Sequence, residues 1–98
     1  MSLRHTHAFS IPAAHPTAAL HFPALPIVPG ALLLDEAIAA IGATSSLRLQ
    51  AVKFLSPLRH GEAVELRWQE GDGGIVSFQI HRQGESAPLL SGTLGPAL

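Results

Sequence analysis

His21 stands at one end of residues 21–36, HFPALPIVPGALLLDE, and two carboxylates, Asp35 and Glu36, stand at the other. Everything between them is apolar. Histidine titrates near neutrality, so it can act as a general base without extreme tuning by its surroundings. A carboxylate held among apolar groups needs a partner or a task, because burying an uncompensated charge is costly. Gly30 lies between them. A backbone N–H at the start of a helix stabilises negative charge as it develops, and glycine lets a ligand approach the backbone closely. Base, acid and amide donor together suit proton transfer beside a group whose charge grows during reaction. Taken singly, these residues also have ordinary uses. A histidine among proline turns is more often a hydrogen-bonded structural residue, and an aspartate in an apolar helix can cap neighbouring backbone.

The elements that position these groups follow from punctuation and periodicity. Pro23, Pro26 and Pro29 hold the first half of the segment extended, since each fixes φ and removes a donor. Pro29 and Gly30 then open a helix over 30–41, and Gly42 offers its stop. That helix is apolar on nearly every side, so it is expected inside the protein. Asp35 and Glu36, its only charges, lie about 100° apart around it and cannot point the same way. Glu36 is expected as a solvated or interface charge, or in the place of Asp35 if the helix is rotated. Strands are expected near 7–12, 48–55, 62–70, 75–82 and 89–94. The clearest is the third, where Val64, Leu66 and Trp68 alternate with Glu65, Arg67 and Gln69. Gly71-Asp72-Gly73-Gly74 joins it to the strand carrying Val76, Phe78 and Ile80. The expected architecture is α+β: one strand, a buried helix, then a four-strand antiparallel meander that needs the helix as its cover.

The pattern H-F-P-x-x-P-x-x-P-G-x-L-x-x-[DE] resembles the active-site segment of bacterial 3-hydroxyacyl-(acyl-carrier-protein) dehydratases, which are hotdog-fold enzymes. His21, Phe22, Pro23, Pro26, Pro29, Gly30, Leu32 and Asp35 all fall in register, and Lys53 to Glu62 resembles the strand and turn that follow the helix in that family. Leu20 and Ala24 stand where members commonly carry glycine. The resemblance implies a hotdog fold, with an antiparallel sheet wrapped around one central helix. It implies His21 and Asp35 as the catalytic pair, shared across the two-fold axis of a homodimer or higher even oligomer. Gly30 would hydrogen-bond the thioester carbonyl, with Phe22, Pro29 and Leu32 against the substrate and an acyl tunnel beside Leu32, Leu33 and Leu34. In such chemistry His21 removes the α proton, and Asp35 holds a water or protonates the departing β-hydroxyl, the latter requiring it to be protonated, which an apolar setting favours. The implied substrate is a 3-hydroxyacyl thioester on acyl carrier protein, and no metal or organic cofactor is implied. A hotdog thioester hydrolase, with Asp35 or Glu36 activating water, and a non-catalytic acyl-binding subunit remain open.

Composition narrows the setting. Ninety-eight residues suit one domain. A net charge of −1 argues against nucleic acid, and with no cysteine there is no disulfide or thiolate chemistry. The longest apolar run, from Phe22 to Leu34, is too short for a membrane span and holds three prolines. No apolar signal core is evident near the N-terminus, so a cytoplasmic location is expected. A hydrophobic fraction of 47% in so small a chain suggests that another subunit covers some apolar surface. His5 and His7 are only two ligands, which do not make a zinc site, and are expected in a disordered end. His15 is expected on the surface. Arg48, Lys53, Arg59 and Arg82 are candidate contacts for an acidic carrier protein.

Overall fold

The computed structural model describes residues 4–11, 27–42 and 47–96. In chain order they form strand β1 (Arg4–Ser10), helix α1 (Gly30–Ile41), and strands β2 (Leu47–Phe54), β3 (Ala63–Glu70), β4 (Val76–Arg82) and β5 (Pro88–Pro96). The expected helix is found at its expected bounds. Pro29 precedes it with φ −58° and ψ 137°, and its carbonyl accepts from the N–H groups of Leu32 and Leu33 at 3.0 and 3.4 Å. Gly42 ends it at φ 76°, a left-handed conformation that glycine adopts without penalty, and its N–H closes onto Ile38 and Ala39.

All five strands lie in one antiparallel sheet, ordered β1-β3-β4-β5-β2. Its helix-facing side follows the alternation: Val64 and Leu66 on β3, Phe78 and Ile80 on β4, and Leu90 and Leu94 on β5 are all buried. Leu66, Ile80 and Leu90 stand in one cross-strand row. Removing such a side chain from water contributes about 1.5–3 kcal/mol. In the next row Gly92 faces Phe78, and a Cβ built there would lie 2.5 Å from the ring and 2.8 Å from the Ala51 carbonyl oxygen. The Asp72–Gly74 turn joins β3 to β4, with Gly73 and Gly74 both at positive φ.

Two expectations about the architecture need correction. The four later strands do not run as one meander, because β2 pairs with β5 rather than with β3. The eight residues after β2 make no hairpin. They cross the end of the sheet, and their backbone groups are taken up along the way. Leu55 and Ser56 N–H donate to the Leu89 carbonyl, Leu58 carbonyl accepts from Val28 N–H, and Gly61 N–H donates to the Ile11 carbonyl. Arg82 adds a side-chain tie to the Pro57 carbonyl and to Glu62. Nor is α1 enclosed. Only Leu33 and Ala37, one turn apart, are fully buried, while Ala31, Asp35, Glu36 and Ala39 are exposed. The sheet covers one side of the helix, and no other described element covers the opposite side.

The histidines of β1 are part of the sheet rather than of a disordered end. His5 stacks on Trp68 at 5.0 Å between ring centroids and lies 3.6 Å from Glu70, and His7 stacks on Phe9. No group of three or more metal-ligating side chains occurs among the described residues.

Candidate functional site

The helix-facing side of the sheet and the start of α1 enclose an apolar groove of about 550 Å³. The crossing segment forms its floor. Val28, Leu33, Leu58, Leu89 and Leu90 are its buried lining, and among the described lining residues Ser56 alone brings a polar side chain. Sequence order explains the arrangement. Pro29 turns the chain into the helix above the groove, and the Val28–Leu58 hydrogen bond of 2.7 Å fastens that turn to the floor.

Gly30 lies at the groove's rim. Among the described residues no side chain caps the helix here, and the first N–H groups drawn onto Pro29 are those of Leu32 and Leu33. The Gly30 and Ala31 amides therefore stand at the positive end of the helix dipole beside an apolar cavity, where they can stabilise an oxygen that gains negative charge. Of the three leucines expected along a tunnel, only Leu33 lines the groove.

Asp35 is two residues beyond Leu33, roughly 200° around the helix, so it points away from the sheet. It is exposed, as is Glu36. The apolar setting expected for Asp35 is not supplied by the described residues of this chain. His15, His21 and Phe22 lie outside the described residues, as do Leu20 and Ala24.

The four cations expected to meet a carrier protein do not gather. Arg82 pairs with Glu62 at 3.2 Å and Glu85 at 3.7 Å. Arg48 and Lys53 stand opposite Gly95 and Ser91 on the sheet face away from α1, and Arg59 belongs to the crossing segment. A residue not singled out from sequence does reach the site. Phe54, at the end of β2, lays its ring against Gly30. The available signal was parity, since Phe54 stands opposite the helix-facing Leu90.

A five-stranded antiparallel sheet packed on one helix defines the hotdog class of folds. Within that class, the chain belongs to the ApeI-like family, described as ApeI dehydratase, whose family model matches residues 2–93. No curated protein matches it. Among solved structures it is similar to the dehydratase heterocomplex ApeI:P from Xenorhabdus doucetiae, with a TM-score of 0.78 at 16% identity over 97% of this chain and 88% of that one. An uncharacterized protein from Erwinia carotovora subsp. atroseptica gives a TM-score of 0.76 at 16% identity, covering 97% of this chain and 85% of the other. The fluoroacetyl-CoA thioesterase FlK shares the fold more loosely, with a TM-score of 0.54 at 18% identity over 95% of this chain and 82% of its own.

Proposed function

We propose that the chain, as one hotdog domain, removes water from a 3-hydroxyacyl thioester carried on acyl carrier protein, giving the trans-2-enoyl thioester in the cytoplasm. The observation that carries the reading is the apolar groove that reaches the N-terminus of α1. Membership of a dehydratase family adds to it. The acyl chain lies in the groove, and the thioester oxygen accepts from the Gly30 N–H. His21 takes the α proton, and the electron pair forms an enolate-like system whose charge the helix terminus stabilises. The pair then forms the Cα–Cβ double bond as the β-hydroxyl leaves. Asp35, directly or through a held water, provides the proton that makes it water.

Asp35 points away from its own chain's groove, so it serves the groove of a partner. We propose a homodimer, with the open edge of β2 and the exposed side of α1 as the surfaces that meet. Leu49, Phe54 and Leu55 are the large apolar residues exposed near that edge. The Xenorhabdus relative occurs in a heterocomplex, so a second, different chain is the other partner to test.

Incubation with a short 3-hydroxyacyl thioester on a carrier protein or its pantetheine mimic, read by mass spectrometry, tests the reading. Loss of one water by the wild type is expected, falling about a hundred- to ten-thousand-fold in His21→Ala and Asp35→Asn. Free acid instead would make the protein a hydrolase, and tight binding without turnover would make it an acyl-binding subunit.

A further inference from the structure

Phe54 is an odd residue to find on this rim. It is 56% exposed at the end of an edge strand, yet its ring is not free in solvent. A Cβ built on Gly30 would lie 2.5 Å from its Cε1, 2.7 Å from Cδ1 and 3.2 Å from Cζ. The ring therefore fills the space that a side chain at position 30 would occupy. One edge rests on the helix terminus and the rest stands over the groove that Gly30, Leu33 and Leu90 also line. The absence of a side chain at Gly30 and the presence of an aromatic ring at Phe54 are thus one feature. Together they set how wide the groove is beside the first two amides of the helix.

We propose that Phe54 is the specificity-determining residue of this site: its ring is the wall beside the thioester end of the acyl group, and it sets the size of acyl group admitted. This rests on the reading that the groove receives an acyl thioester. The occupant follows from the described lining, which is apolar apart from Ser56 and reaches the first amides of α1. An apolar tail with one carbonyl oxygen at its head matches that order. A wall made by one aromatic ring discriminates by size, and a one-carbon difference in an apolar pocket changes relative rates by about tenfold or more.

The test compares wild type, Phe54→Ala and Phe54→Trp with two 3-hydroxyacyl pantetheine thioesters of equal chain length, one unbranched and one carrying a 2-methyl branch beside the thioester. The same variants are titrated by calorimetry with the matching thioethers, which bind but cannot turn over. Phe54→Ala should raise the branched-to-unbranched ratio of kcat/KM, and of affinity for the thioethers, by about tenfold, and Phe54→Trp should lower it. Gly30→Ala should lose thioether binding because its Cβ displaces the ring, and Gly30→Ala/Phe54→Ala should regain part of it. Thermal unfolding of each variant separates these outcomes from loss of fold. Unchanged ratios across all three residues at position 54 would overturn the proposal. Thioether binding that shifts with position 54, in a protein that turns over neither substrate, would sustain it while overturning the dehydratase reading.

Discussion

Single residues in this protein are constrained more by what they touch than by their own chemistry. Gly92 is the clearest case. Its neighbours are the Phe78 ring and the Ala51 carbonyl oxygen, and the carbonyl belongs to backbone that cannot rotate away. Gly92→Ala should therefore destabilise the fold by about 1–3 kcal/mol, as overpacking of a filled core does, which urea titration would reveal as a lowered midpoint. Asp35 is the opposite case. It is exposed on the side of α1 away from the sheet, so an isosteric Asp35→Asn change should leave the stability of a single folded chain within about 0.5 kcal/mol. A large loss of activity in that variant would then report chemistry rather than folding. The same contrast explains which residues of the proposed site were legible. His21, Gly30 and Asp35 stand out because their types and spacing have chemical meaning along the chain. Phe54 does not, because its place beside Gly30 exists only once the end of β2 has been brought to the start of α1.

At the scale of elements, the sequence marks boundaries well and partners poorly. The helix lies where Pro29 and Gly42 bracket it, and β3 and β4 lie where alternation and the glycine turn put them, because these signals are local. The place of β2 beside β5 depends on where the crossing segment finds its hydrogen bonds, at Leu89, Val28 and Ile11, which no local pattern encodes. Hydropathy likewise overstates the burial of α1 within one chain. An apolar residue reads the same whether its own sheet or a second molecule covers it. The two kinds of position can be separated by mutation. Leu33→Ala, against the sheet, should cost about 2–5 kcal/mol of unfolding free energy through the cavity it leaves. Ala39→Ser, on the open side, should change the stability of the isolated chain by no more than about 0.5 kcal/mol. Comparable losses from both, in chemical denaturation at a concentration too low for assembly, would mean that the helix is enclosed by its own chain.

The whole molecule carries a groove on one side of α1 and the acid on the other, and that division makes assembly part of the proposed chemistry. If His21 of one subunit works with Asp35 of its partner, then each two-fold dimer has two sites, and each site draws one residue from each chain. His21→Ala and Asp35→Asn homodimers are then both inactive, since every site lacks one of the pair. A mixed dimer differs. One of its sites lacks both residues, but the other draws an intact histidine from one chain and an intact aspartate from the other. Equal amounts of the two variants, dissociated and reassembled, should place mixed dimers at half the population and restore roughly a quarter of the wild-type activity. Recovery of that size, appearing at the rate of subunit exchange measured by native mass spectrometry, would establish a shared site. A mixture that exchanges subunits fully yet stays inactive would put the base and the acid on the same chain. The direction of Asp35 would then have to be explained by a movement of α1 rather than by a partner. Failure to form any dimer alone, with activity gained only on adding a second, different chain, would make the shared site heteromeric. Gly30 and Phe54 would still form the acyl wall in that assembly, because the contact between them is made within one chain.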